Sequence, residues 1–284
     1  IAPLDLDMAG LVQHYARKNG IRLILKNGVQ ALIPTESHIE VQLSHGTLNA
    51  DLVLMSVGVK PETDIAQKAG ILCNARGAIL VDEHMRTSKP DIYAVGDAIA
   101  VTNFVTKQEA YIPLAGPANK QGRIAADHIC GRNVSFKGTQ GTSILKLFDM
   151  TVATTGIHEL QAKQSNLDYD TIITYSPSHA TYYPNAKNMM IKTIFEKQSG
   201  KILGAQLVGY EGVDKRCDVL ATAIRAGMTA YDLTELELAY APPFSSAKDP
   251  VNMIGFAIEN ILTGLVKQHH WYDIAKLPKD GSII

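Results

Sequence analysis

Asp51-Leu-Val-Leu-Met-Ser-Val-Gly-Val59 is a nearly continuous apolar run, closed by Lys60-Pro61. Its length and β-branched content predict a strand buried on both faces, the pattern of a parallel sheet. Proline cannot continue a central strand, so Pro61 marks the end. Upstream, Ile21–Leu25 reads as a second strand, and Ala9–Asn19 before it has helical spacing stopped by Gly20. Between them, Val29–Ile33 and His38–Leu43 alternate about a polar turn, and Gly46 marks the next turn. Downstream, Thr63–Ala69 reads as a short helix ended by Gly70. Ile79–Val81 and Ile92–Val95 read as short strands, and Pro113–Cys130 as a helix-bearing segment ended by Gly131. This first half is of the α/β kind.

The texture changes near residue 138. Ile144–Phe148, Thr151–Thr155, Leu167–Tyr175 and Met189–Glu196 read as strands. Ser199-Gly200 is a hairpin turn, and Lys201–Val208 returns from it. Two helices follow. One carries Val213, Cys217, Leu220 and Ile224 on one face and stops at Gly227; the other starts near Asp249-Pro250 and carries Val251, Ile254, Ile258, Ile261 and Leu262. Strands followed by helices indicate an α+β unit. The two apolar stripes either pair within one chain or meet a second copy across a two-fold axis.

Composition narrows the function. The 284 residues balance 27 Lys and Arg against 28 Asp and Glu, so no broad basic field draws in nucleic acid or an anionic membrane. No apolar run approaches the roughly 18 residues of a membrane span. Cys73, Cys130 and Cys217 are too far apart for a disulfide framework or a zinc pattern, and the nine histidines lack metal-ligand spacing, so no metal site is expected. A reducing, cytoplasmic setting is expected. The first residue is Ile, and the chain is expected to begin inside a domain and to end as a new strand begins.

Four stretches could carry chemistry. Thr87-Ser-Lys-Pro-Asp-Ile-Tyr-Ala-Val-Gly-Asp97-Ala ends a short strand in Gly96-Asp97. Ligands of open α/β sheets sit beyond strand ends, where glycine permits close approach and Asp97 offers acceptors to hydroxyls. In Tyr111-Ile-Pro-Leu-Ala-Gly-Pro-Ala-Asn-Lys-Gln-Gly-Arg123, Pro117 suits the first turn of a helix, whose N-terminus favours negative charge in front of Leu114 and Ala115. Leu238-Ala-Tyr240-Ala-Pro-Pro-Phe-Ser-Ser-Ala-Lys-Asp-Pro250 fixes Tyr240 and Phe244 with two prolines, and Asp249 reads as a helix N-cap rather than a catalyst. His179-Ala-Thr-Tyr182-Tyr183-Pro184 is a loop between strands.

Taken in order, Ser56-Val-Gly-Val-Lys-Pro, Ile92-Tyr-Ala-Val-Gly-Asp, Pro113-Leu-Ala-Gly-Pro-Ala-Asn and Tyr240-Ala-Pro-Pro-Phe-Ser-Ser-Ala-Lys-Asp-Pro resemble the flavin-dependent pyridine nucleotide–disulfide oxidoreductases. Among them the resemblance is to the coenzyme A-disulfide reductase branch, and it covers about residues 1–266. It implies partial α/β FAD- and NAD(P)-binding domains followed by an α+β dimerisation domain. Residues 1–58 would be the C-terminal half of the NAD(P)-binding domain, and 59–138 the C-terminal part of the FAD-binding domain. Residues 139–264 would be the dimerisation domain. Residues 265–284 would be a linker that resembles the start of a rhodanese domain. The family's Gly-rich loops and its redox cysteine in a Ser-x-x-Asn-Cys setting are missing, so the chain is expected to be a fragment that does not turn over alone.

The resemblance also implies roles. Asp97 would hold the flavin ribitol, with Gly96 allowing close approach, and Leu114, Ala115 and Ala118 would line the pyrimidine edge. Val57 and Gly58 would lie near the nicotinamide ribose. Tyr240 and either Tyr182 or Tyr183, with Tyr182 preferred, would reach with Phe244 into the partner subunit's site of a homodimer. Electrons would pass from NAD(P)H through FAD to a small thiol disulfide, namely coenzyme A disulfide or persulfide. An NADH oxidase or peroxidase is the alternative of the same class. A flavin-free dimerisation module is the alternative of another class, because packing is satisfied without any ligand.

Overall fold

A computed structural model describes residues 3–276. Helix α1 (Leu6–Lys18) starts three residues before the predicted point, buries Met8, Val12 and Ala16, and gives way to Gly20 at φ +84°. Strands β1 (Val29–Pro34), β2 (Ile39–Leu43) and β3 (Thr47–Ala50) form an antiparallel sheet with Val41 opposite Leu32 and Leu48.

The run that suggested a parallel sheet is not a strand, and neither is Ile21–Leu25. Leu52, Leu54 and Val57 are 84, 87 and 83% exposed. A strand needs a neighbour to complete its backbone hydrogen bonds. Among the described residues no strand pairs with either run. Helix α2 (Asp64–Lys68) follows. The two short strands expected next are single bridges instead: Ile79 with Cys73 and Ile99, and Tyr93 with Arg86. Turns flank both stretches, which leaves no length for a ladder. Strands β4 (Val101–Thr102) and β5 (Glu109–Ala110) pair with each other, and helix α3 (Ala115–Ile129) packs Ala125 against Ile79, Met85, Ile99 and Val101.

The second half is one antiparallel sheet of strands β6 (Ser143–Leu147), β7 (Met150–Gly156), β8 (Tyr169–Pro177), β9 (Asn188–Glu196) and β10 (Ile202–Gly209), in the order β6-β7-β10-β9-β8. The central strand β10 places Leu207 opposite Ala153 and Ile191. A Cβ on Gly204 would stand 1.9 Å from the Ile157 carbonyl oxygen, so only glycine lets the chain leaving β7 pass there. Two short helices were not apparent in the sequence, α4 (Glu159–Gln164) and α6 (Ala230–Thr234). Each opens on a capping box, His158 with Gln161 and Thr229 with Asp232. Helices α5 (Val213–Ala226) and α7 (Pro250–Leu262) resolve the question of the stripes. Val213, Cys217, Leu220, Ile224, Val251, Ile254 and Ile258 join Ile191, Phe195 and Leu207 in one core within a single chain. These stripes therefore give no argument for a second copy.

The N-terminal helix belongs to this second half in space. Met8 and Val12 pack on Met150, Val152, Met190 and Val208. Beside them Lys192 of β9, 1% exposed, places Nζ 3.2 Å from Asp5, 2.7 Å from Asp7 and 2.6 Å from Glu159. Burial alone would weaken Lys192's hold on its proton, but bonds to Asp7 and Glu159 and the charge of Asp5 outweigh it and raise the pKa. Among the described residues no helix is long and apolar enough to cross a membrane.

Candidate functional site

Two clusters gather the residues singled out in the sequence. The first is the turn at Gly96. Gly96 takes φ +76°, open to glycine and strained for other residues, and its N–H donates to Gln121 Oε1 at 2.8 Å. Gln121 is buried on α3 and was not anticipated. Its signal was a polar side chain on the inward face of that helix, one turn before Ala125. The bond ties the turn to α3, and a Cβ at Gly96 would stand 3.8 Å from Ala118 Cβ. Asp97 is exposed, and its carbonyl accepts from the Tyr111 hydroxyl at 2.9 Å.

Helix α3 begins at Ala115 behind Leu114, with no side chain capping it and no acidic residue in its first turn. Pro117 has no N–H, so the amides of Ala115 and Gly116 face outward from the positive end of a 15-residue helix. This donor set, with Asp97 as acceptor, fits a group that carries both hydroxyls and a negatively charged edge. Tyr111, Pro113 and Leu114 also line a cavity of about 350 Å³ with Gln140, Thr155, Gly156 and His158. Val57 and Gly58 are exposed and make no hydrogen bond to the Gly96 turn among the described residues.

The second cluster stands on the five-stranded unit. The loop between β8 and β9 carries Tyr182, and the loop before α7 carries Tyr240. Their hydroxyls meet at 2.9 Å across 58 residues of sequence. Tyr182 is 75% exposed and Tyr240 47%, so the pair is open on one side. The hydrogen bond to Tyr240, with smaller contributions from burial and from Tyr240's charge, raises the Tyr182 pKa above its ordinary value. Tyr183 takes another course. Its ring meets His179 edge-on at 5.8 Å, and buried His179 bonds the Ser178 hydroxyl and the Pro184 carbonyl at 3.0 Å each. Phe244 is exposed on a tight turn in which its N–H donates to the Ala241 carbonyl at 2.9 Å. Asp249 caps α7 by accepting from the Val251 amide at 3.0 Å, as its place before Pro250 suggested.

The cysteines stand apart from both clusters. Burial, then the charges of Asp218 and Asp214, push the Cys217 thiol up to about 12, which leaves it inert. Cys130 caps the C-terminal end of α3, and Cys73 is half-buried.

The chain matches the pyridine nucleotide-disulphide oxidoreductase family over residues 2–122, and the dimerisation domain of the same family over residues 142–250. It belongs to that family. A coenzyme A disulfide reductase of Staphylococcus epidermidis is 38% identical over 225 residues, which are 78% of this chain and 51% of that protein. An NADH oxidase of Methanocaldococcus jannaschii is 34% identical over 250 residues, 88% of this chain and 55% of that protein. The crystal structure of reduced Bacillus anthracis CoADR-RHD superposes with a TM-score of 0.93 at 48% identity, covering 97% of this chain and 50% of that one. The chain thus spans about half the length of the relatives it matches. The rhodanese-like reading of residues 265–284 falls partly on 277–284, which lie outside the described residues.

Proposed function

We propose that the chain is the flavin-edge and dimerisation portion of an NAD(P)H-dependent flavoprotein disulfide reductase, acting on coenzyme A disulfide or persulfide in the cytoplasm as a homodimer. Residues 1–58 are read as NAD(P)-binding, 59–138 as FAD-binding, 139–264 as dimerising and 265–284 as a linker. The tyrosine pair carries the reading. Two phenols, open on one side, meet at hydrogen-bond distance where two loops bring them to one point. Widely separated free thiols support a reducing compartment.

Asp97 and Gly96 would hold the ribitol of FAD, and Leu114, Ala115 and Ala118 its pyrimidine edge. When bound, FAD supplies the hydride and electron transfer. The open amides of α3 stabilise negative charge in front of Leu114, by roughly 0.3–1 kcal/mol at an exposed helix end. At the other cluster the two hydroxyls share one hydrogen bond in which either can be the donor, and in one of the two arrangements Tyr182 donates to Tyr240. That leaves the Tyr240 O–H free to donate to a thiolate departing from the substrate disulfide. Phe244, exposed beside it, offers an apolar surface to the substrate. Val57 and Gly58 remain assigned to the nicotinamide ribose. The cavity lined by Leu114 includes neither tyrosine, which agrees with each chain's pair serving the partner subunit's flavin.

The test is Tyr240→Phe in the full-length protein, followed in two half-reactions by rapid mixing. Flavin content, dimer mass and flavin reduction by NAD(P)H should hold, while reoxidation by coenzyme A disulfide slows. Equal slowing of both half-reactions would refute the role. Formation of water rather than thiol as NADH is consumed would identify the oxidase alternative. A colourless full-length protein would identify the flavin-free one.

A further inference from the structure

We propose that Arg216 is a positioning residue for the tyrosine pair, its buried guanidinium holding the two tyrosine loops at a fixed spacing. The inference rests on the reading of that pair given above. Arg216 lies on α5 and is 1% exposed. Nη2 donates to the Ser178 carbonyl at 3.0 Å, at the root of the Tyr182 loop. It also donates to Ser245 Oγ at 2.9 Å, in the loop that follows Tyr240, and to Asp249 Oδ2 at 2.8 Å. Nε spans the same carboxylate at 3.3 and 3.2 Å, and Nη1 reaches the Gly212 carbonyl at 3.3 Å. Ser245 Oγ donates in turn to Asp249 Oδ2 at 2.6 Å. The loops also touch directly, through the Ala180 N–H and the Ser245 carbonyl at 2.9 Å.

Stability alone gives a poor account of this arrangement. A buried ion pair is often matched or bettered by apolar side chains of equal volume. What a guanidinium adds is a rigid planar fork that addresses several acceptors at once. Here those acceptors belong to the root of one tyrosine loop, the end of the other and the cap of α7. The backbone is also shaped for the fork. Gly212 takes φ +68°, and a Cβ there would stand 2.2 Å from Arg216 Nη1. Tyr182 follows Ala180 by two residues and Tyr240 precedes Ser245 by five, so a shift in this network changes the distance between the hydroxyls. Displacements of about 1 Å at a distance from the chemistry can cost a hundredfold in rate.

The experiment uses the full-length enzyme with Ser245→Ala, Arg216→Lys and Tyr240→Phe, singly and combined. Ser245→Ala leaves Arg216 paired with Asp249, so it keeps the test valid if Arg216→Lys fails to fold. Each variant should keep dimer mass and flavin reduction by NAD(P)H, and slow reoxidation by coenzyme A disulfide on the order of tenfold. Adding Tyr240→Phe should cost little more, because both changes act through one phenol. Losses that multiply in the double variants, or slowing of both half-reactions together, would overturn the proposal. Ultraviolet titration gives a readout independent of turnover. The Tyr182 phenol, isolated by difference from a Tyr182→Phe protein, should ionise at lower pH in Ser245→Ala than in the parent. An unchanged titration overturns the positioning role whatever the rates. If Tyr240→Phe alone leaves the rates untouched, the proposed function fails while the titration still judges the spacing.

Discussion

Strand β9 and residues 51–59 invite comparison. The first, Asn188-Met-Met-Ile-Lys-Thr-Ile-Phe-Glu196, carries a lysine at its centre, yet Met189 through Phe195 are all buried. The second has no charged residue from Leu52 to Val59, yet its leucines and valines stand largely in water. Hydropathy predicts burial for both, and the comparison holds within a chain that spans about half the length of the relatives it matches. What separates them is pairing. Strand β9 has β10 on one side, returning through a short turn, and β8 on the other, while residues 51–59 have no strand beside them among the described residues. Apolar side chains supply the drive to be buried, but the backbone must first find partners for its N–H and C=O groups.

The largest expected effect tests whether the lysine is what β9 tolerates or what it needs. Lys192→Ala leaves Asp5, Asp7 and Glu159 crowded and little exposed, with their shared cation gone. Removing one partner of a buried ion pair costs about 3–5 kcal/mol. Urea unfolding should show a loss of that size, and a change below about 1 kcal/mol would mean that water already screens the cluster.

A smaller effect concerns acid. Burial would push the Asp249 carboxyl up, but hydrogen bonds from Arg216, Ser245 and the Val251 amide, with the charge of Arg216, hold it below the ordinary value. A depressed folded-state value gives stability that is present above the unfolded carboxylate value of about 4 and is lost as pH falls through the folded one. Asp82 and Asp232 are held low as well, but both are solvated and weigh less. Thermal melts between pH 7 and pH 2 should therefore steepen below about pH 4 in the parent. Asp249→Asn should flatten that limb, and parallel curves would remove Asp249 from the account.

The smallest effect closes the comparison. Leu54→Ala removes an exposed side chain, so in the 284-residue chain stability should move by no more than about 0.5 kcal/mol. A loss above about 2 kcal/mol, typical of a core leucine, would show that residues 51–59 are packed after all.

The same logic explains what could be read from the sequence. Strands β6 to β10 and helices α5 and α7 fall within a residue or two of expectation, because each strand pairs with a neighbour in sequence and each helix carries its own stop or cap. Gly96-Asp97 and the start of α3 were legible as continuous motifs. The meeting of Tyr182 with Tyr240 was not, since no spacing rule connects loops 58 residues apart; the family resemblance points only to Tyr240 and one of Tyr182 or Tyr183 serving the same site. Gln121, Lys192 and Arg216 belong to no chemistry that the sequence pattern alone marks out. Each is a polar or charged residue inside an apolar pattern, and that mismatch was the available signal. Their partners could not be inferred, because Asp249 lies 33 residues from Arg216 and Asp7 lies 185 from Lys192.

That last separation has a consequence for synthesis. A ribosome adds about 5–20 residues per second, so helix α1 emerges roughly ten to forty seconds before the strand that neutralises its carboxylates. Throughout that interval Met8 and Val12 have no Met190 or Val208 to cover them. The apolar face of this segment is completed only when β9 and β10 have been made. The packing of α1 seen here therefore waits for the last-made of its contacts, β9 and β10.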